Sequence, residues 1–243
     1  MKEMIMKLTE NQEKEFKRNA AILKEIQQSN RNIENSVSFL SAQNEELKQK
    51  LEKLEAQKIE DKKLITILEN KIEDMQRDNR KSNLELKNVP KKNNESKEDL
   101  IDMVLTLSKN IGGEINKRDI KDIYRIRGRK EETRNTPIIV ETTSTIIKND
   151  TLKLCKAFNV KHKTKLCAKH LGHRTAEDTP IFISEHLTPR ASRLHFLARD
   201  LVKAGSFKFC WTAYGKIYLR KDEQSQIVLI NSESQIQKLK DQI

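Results

Sequence analysis

The chain has 243 residues, of which 35% are hydrophobic and 35% are charged, and its formal net charge is +12. No apolar run approaches the ~20 residues that a membrane-spanning helix needs, and the N-terminus lacks the apolar core of a signal peptide. Three scattered cysteines are typical of a reducing compartment rather than of a disulfide framework, so we expect a cytoplasmic or nuclear protein.

The first predicted element is a long helix that carries a heptad repeat over residues 16–75. Thirteen of its eighteen a and d positions are apolar in a single register, and the stretch contains no proline or glycine. A 3.5-residue apolar repeat keeps one seam facing a partner helix, which predicts a coiled coil and self-association. The residues assigned to oligomerisation are Leu23, Ile26, Ile33, Val37, Leu40, Asn44, Leu47, Leu51, Leu54, Ile65, Leu68 and Ile72.

Polar residues interrupt the seam at Asn19, Asn30, Asn44, Lys58 and Asp61. A buried asparagine fixes register and strand number at a cost in stability. Lys58 and Asp61 either play that role or mark a point where the coil loosens. Parallel dimers favour a β-branched residue at a and Leu at d. The a and d positions here mix residue types, so they follow this preference only in part.

After residue 82 the pattern changes to strands and shorter helices in the order β-α-β-β-α-β. The predicted strands are residues 83–90, 119–128, 136–143 and 179–186. Ser96 is a candidate N-cap with Asp99 as a weak capping box for the first helix, and the second helix spans residues 145–159. This order is typical of the split βαβ, ferredoxin-like unit of RNA-recognition modules. The inward face of the second strand stays open, because both of its registers contain apolar residues.

The C-terminal part begins with Thr188 and Pro189, the favoured N-cap and first position of a helix, and Gly205 ends that helix. Strands at 207–212 and 216–221, a last strand at 227–230 and a helix at 232–242 follow. We therefore predict an α+β chain: a coiled-coil stalk (1–82), a ferredoxin-like (RRM-like) domain (83–187) and a small α/β C-terminal domain (188–243). Whether residues 83–243 form one unit or two is left open.

Positive charge is concentrated in the middle of the chain. Residues 117–175 contain 16 Lys and Arg against 6 Asp and Glu, whereas residues 1–82 contain 17 against 16. Such a block predicts contact with phosphate, in nucleic acid or at an anionic membrane surface, and a solvated basic face is the alternative. The candidate nucleic-acid-binding residues in this block are Arg125, Arg127, Arg129, Lys130, Arg134, Lys165 and Lys169.

Aromatic residues are absent from the predicted strands 84–89 and 136–143, which argues against base stacking on this sheet. They appear instead near the C-terminus, where Trp211 and Tyr214 lie among basic residues. An exposed tryptophan beside lysines can stack a base, whereas a tryptophan packed on its helix is the alternative. The candidates here are Lys208, Trp211, Lys216, Arg220 and Lys221.

No glycine-rich phosphate loop or nucleophile elbow is present, so we predict a non-enzymatic protein without a cofactor. Cys155, His162, Cys167, His170 and His173 come nearest to a metal-binding cluster. Their spacings match no common zinc module, so we predict no metal site and assign them as basic-connector histidines and small buried cysteines.

Three C-terminal stretches resemble a known family. They are TPIFISEHLTP (179–189), ARDL (198–201) and WTAYGKIYLRK (211–221), and they are similar to the C-terminal domain of the baculovirus few-polyhedra (FP) protein and its insect, mobile-element-derived relatives. More distantly, the order of elements and short pieces such as Val89-Pro90 resemble the first open-reading-frame protein of LINE-type retrotransposons.

The retrotransposon resemblance implies a parallel coiled coil that is trimeric rather than dimeric. It also implies single-stranded RNA held between the recognition module and the C-terminal domain, with roles for Arg125, Arg127, Arg190 and Arg193. We therefore expect a homo-oligomer that binds single-stranded RNA or DNA with little sequence specificity, as a chaperone or packaging protein. The alternative is a structural or adaptor protein of FP type that contacts protein partners through its coil.

Overall fold

The computed structural model describes residues 2–92, 94–126, 135–174 and 177–241, with residues 4 and 5 described by their backbone alone. The chain divides into two compact units, Met1–Leu68 and Glu69–Ile243. Among the described residues there are five α-helices and two antiparallel sheets. The prediction of a mixed helix and sheet protein with a long N-terminal helix is therefore confirmed.

Helix α1 spans Lys2–Arg80. Its residues up to Leu68 form the first unit, and its last turns belong to the second unit. In a single chain the thirteen apolar a and d residues are between 47% and 78% exposed, so the helix presents an uncovered apolar seam. Self-association through this seam stays a prediction. None of the described helices is long and apolar enough to span a membrane.

The second unit contains a four-stranded antiparallel sheet with strand order β2-β3-β1-β4. Helices α2 (Lys97–Asn110) and α3 (Thr145–Lys161) pack against one face of it. The elements occur in the predicted order. The strands are β1 (Asn83–Pro90), β2 (Ile120–Arg125), β3 (Asn135–Thr142) and β4 (Phe182–Glu185).

Local sequence explains where these elements begin and which way they face. Ser96 accepts a hydrogen bond from the Asp99 N–H at 3.2 Å, and the Asp99 carboxylate accepts one from the Ser96 N–H at 2.8 Å. This reciprocal capping box starts α2 as predicted. In β2 the buried Ile123 faces the helices, so its neighbour Tyr124 lies on the opposite face of the sheet. That placement resolves the face that the sequence pattern left open.

A second apolar core lies under a three-stranded antiparallel sheet of order β5-β6-β7. The Thr188 hydroxyl accepts a hydrogen bond from the Ala191 N–H at 3.0 Å and caps the first helix of this part as predicted. Helix residues Leu194, Ala198 and Leu201 then pack on the sheet. The elements are α4 (Pro189–Lys203), β5 (Phe209–Ala213), β6 (Lys216–Arg220), β7 (Val228–Ile230) and α5 (Glu233–Asp241).

One buried carboxylate joins the two cores. Glu185, at the end of β4, lies 2.7 Å from the Lys148 ammonium of α3. Its two oxygens also accept the N–H groups of Tyr214 and Gly215, at 3.0 and 3.2 Å, in the turn between β5 and β6. Because buried charges are stable only when they are paired and hydrogen-bonded, these contacts tie both sheets into a single compact unit.

Candidate nucleic-acid interface

Arg125 does not lie on a free surface. It shares a face with Ile138 of β3, which belongs to the core, and its side chain is only 9% exposed. Nε and Nη2 donate to the two carboxylate oxygens of Glu95 at 2.6 and 2.7 Å. The remaining N–H groups donate to backbone carbonyls of Val89, Pro90 and Thr136.

An arginine has five N–H donors, and all five are used inside the protein. The assignment of Arg125 as a phosphate contact stays a prediction, and this geometry argues against it, because binding phosphate would strip a buried carboxylate of its counter-ion. Four other candidates lie outside the described residues: Arg127, Arg129, Lys130 and Arg134.

Two lysines of the basic connector are exposed but have intramolecular contacts. Lys165 donates to the Asn159 carbonyl, and the Lys169 ammonium lies 3.7 Å from the Asp178 carboxylate. The exposed Lys169–Asp178 ion pair contributes little to stability, so the Lys169 ammonium can exchange it for a phosphate at small cost.

Two further candidate arginines lie on α4. Arg190 donates to the Asn70 side chain at 3.1 Å and to the Asn231 carbonyl at 3.3 Å. Arg193 lies 3.5 Å from Glu233, and both of these side chains are 58% exposed. Arg193 is thus available at the surface, whereas Arg190 also connects α4 to α1.

The sheet of the C-terminal part has an aromatic outer face. Trp211 of β5 pairs with Tyr218 of β6, and their rings stack with centroids 5.6 Å apart and 16° between their planes. Neighbouring residues Ile217 and Leu219 point the other way, into the core beneath α4. Trp211 is half-buried and is not part of that core. Trp211 therefore lies outside the apolar core beneath α4.

Basic side chains surround this aromatic pair. The side chains of Lys216 and Lys221 are exposed and, within the described ranges, have no hydrogen-bonding or ion-pair partner. The Lys208 ammonium lies 2.7 Å from Glu223, and Arg220 donates to the Ser225 carbonyl at 2.9 Å. The β5–β6 hairpin thus brings together the five predicted residues of this region: Lys208, Trp211, Lys216, Arg220 and Lys221.

A groove of about 370 Å³ continues the aromatic face along the β5 edge. Trp211 and Phe209 line it together with the cations Arg199, Lys203 and Lys208. Phe209, Tyr218 and the two α4 cations were not among the binding residues predicted from the sequence. Tyr218 could have been predicted, because residues 216–220 alternate with a period of two and every second residue then lies on one face of the strand.

The four-stranded sheet also exposes two aromatic rings that were not predicted as binding residues. Tyr124 on β2 is 40% exposed and Phe182 on β4 is 59% exposed. Strand register puts both on the face away from α2 and α3, and Phe182 is paired with Lys87 of β1. These residues lie on the outer strands, whereas β1 and β3 carry none, as the sequence indicated.

Two histidines near this face have lowered pKa values, mainly because they are buried. Burial, and then the charges of Arg80 and Lys87, lower the pKa of His186 to about 4. Burial, Arg199 and Lys87 likewise lower the pKa of His195. Both imidazoles are therefore neutral at pH 7, and the local positive charge comes from the arginine and lysine side chains.

Several cysteines and histidines in and next to the connector make local contacts. Cys167 Sγ lies 3.3 Å from His170 Nδ1, and the His162 ring stacks on Phe158. Cys155 is buried, which raises its thiol pKa to about 12. Among the described residues, no three His, Cys, Asp or Glu side chains are arranged to hold a metal ion.

The comparison with protein families matches the part of the chain that carries the aromatic hairpin. Residues 188–240 match the family described as Baculovirus FP protein domain 2. This segment is therefore similar to that family, and we call it the FP-type domain. The matched segment begins at Thr188, the N-cap of α4, and includes β5, β6 and β7. None of the curated proteins compared matches the chain. The resemblance of the C-terminal stretches to FP proteins is thus confirmed, and the relation to retrotransposon proteins stays a prediction.

Proposed function

We propose that this protein is a self-associating binder of single-stranded nucleic acid, preferring RNA and tolerant of sequence. The observation that carries the proposal is the stacked Trp211–Tyr218 pair on the outer face of the FP-type domain, with cations along its edges. Aromatic faces stack any base, at about 1–3 kcal/mol per base, and cations along a groove follow the phosphates. An aromatic surface with basic edges fits this ligand better than it fits an acidic protein.

Affinity in this proposal has two sources. Lysine and arginine contacts release counterions from the phosphates, so binding weakens steeply as salt rises. Self-association through the apolar seam multiplies a weak single site, because a second site on the same strand binds at a high effective concentration. The exposed seam supports an oligomer, and we favour a parallel trimer over a dimer from the retrotransposon resemblance.

The strand order β2-β3-β1-β4, with both helices on one face, supports an RRM-like assignment for residues 83–187. Tyr124 and Phe182 would offer that module two additional rings for stacking. A packaging or chaperone role in the cytoplasm or nucleus, without catalysis or a cofactor, fits a binder of this kind.

The proposal is tested by anisotropy titrations of a labelled single-stranded RNA with the full-length chain. Trp211→Ala should weaken binding by about 5- to 150-fold, the equivalent of 1–3 kcal/mol. Phe196→Ala is the matched control, because Phe196 is an exposed aromatic residue on α4 that lies outside the stacked pair. Equal losses in the two variants would refute the stacking site.

A second arm tests the charges. The double variant Lys216→Ala/Lys221→Ala should reduce the slope of log affinity against log salt by about 2, roughly one unit per phosphate contact. Lys238→Ala/Lys240→Ala removes two exposed lysines of α5 and should leave the slope unchanged. If the unaltered chain does not bind RNA at ~100 mM salt, where phosphate contacts still act, the proposal fails. An adaptor that uses its seam for protein contacts then becomes the better explanation.

A further inference from the structure

The end of α1 is built into the FP-type domain. Glu73 is 9% exposed, and its carboxylate accepts a hydrogen bond of 2.6 Å from the Thr188 hydroxyl that caps α4. Arg77, four residues after Glu73 on the helix, packs closely against the β5–β6 turn. A Cβ atom added to Gly215 in this turn would lie 2.8 Å from Cγ of Arg77. Arg80 donates to the Leu187 carbonyl at 2.6 Å.

These contacts use one side of the helix and leave the seam free. Glu73 and Arg80 occupy b positions of the heptad, and Arg77 occupies an f position. At 3.6 residues per turn, the centre of this docked stripe lies about 140° around the helix from the centre of the a/d seam. Ile72 and Met75, at a and d, are 54% and 67% exposed. The last three turns of α1 therefore contact the FP-type domain on one side and expose an uncovered apolar surface on another.

Heptad chemistry indicates what covers the apolar side. In a parallel, in-register pair, the g residue of one helix meets the e residue of the next heptad of the other. From residue 15 to residue 76 no such pair has like charges, and Lys50 meets Glu55. Asn30 and Asn44 would each face their own copy, where two amides can hydrogen-bond to each other.

We propose that a second, parallel copy of this chain packs on Ile72 and Met75 while the FP-type domain stays docked on the opposite side of the same helix. The inference rests on the self-association in the proposed function and specifies its geometry. Each nucleic-acid face would then be held at a fixed orientation to Ile72 and Met75, which lie in the same compact unit, and this favours simultaneous binding of one strand by several copies.

Disulfide trapping in the full-length chain tests this geometry. Met75→Cys puts a thiol at a seam position, whereas Asp74→Cys is the matched control one residue away on the outer side, where the carboxylate is 68% exposed. With a mild oxidant, the Met75→Cys chain should form a covalent dimer, and the Asp74→Cys chain should form no more than the unaltered chain. Equal trapping of the two variants would overturn the proposal.

Two further readouts separate the ways in which this could fail. Sedimentation of the unaltered chain measures its mass, so a monomer would refute the self-association of the proposed function itself. An oligomer without preferential trapping at residue 75 would refute only the present inference. Hydrogen exchange of the Ala191 and Gly215 amides in the trapped dimer should be as slow as in the reduced protein. Faster exchange would mean that self-association displaces the docked domain, and it would also overturn the proposal.

Discussion

Replacing Arg125 should damage the fold rather than the nucleic-acid site. Arg125→Ala leaves the Glu95 carboxylate, whose side chain is 4% exposed, without its counter-ion, and leaves three carbonyls without a donor. Breaking one side of a buried pair typically costs about 3–5 kcal/mol. For a unit of this size, that loss lowers the melting temperature by about 6–20 °C.

Thermal melting and hydrogen exchange over β2 and β3 measure the effect, and RNA titrations well below the melting point should find unchanged affinity. The double variant Arg125→Met/Glu95→Leu is the control. It should be more stable than Arg125→Ala, because no charge is then buried alone. A loss of stability below about 0.5 kcal/mol, the range of ordinary surface substitutions, combined with weaker RNA binding would refute this reasoning and return Arg125 to the interface.

Two more predictions concern pH and the docked helix. The unfolding free energy should fall as pH drops from about 6.5 toward 4, because His186 binds a proton in the unfolded chain but, with its folded pKa lowered to about 4, not in the folded one. His186→Gln should flatten the profile of unfolding free energy against pH, and an identical profile in both proteins would disprove the assignment. Gly215→Ala should cost more stability than Gly205→Ala, measured by urea denaturation. Both glycines have φ near +80°, but only a Cβ at Gly215 would meet Arg77. Equal losses would mean that Arg77 moves aside freely.

Local patterns determined much of this protein from the sequence alone. The heptads predicted the long helix, the Ser96 and Thr188 caps predicted the starts of α2 and α4, and the elements follow the predicted order. These features depend on residues within a few positions of one another. Short stretches of the chain are therefore sufficient to specify helical periodicity and capping.

Tertiary structure alone decided which charged residues are free. Arg125 resembles a surface arginine in sequence, but Glu95 and three backbone carbonyls from distant positions enclose it. Strand register gave Trp211 its partner Tyr218 and turned both rings away from the α4 core. The docking of Glu73 on Thr188 connects residues 115 positions apart. Such contacts depend on how the chain folds back on itself, because no local pattern specifies which distant group a buried charge meets.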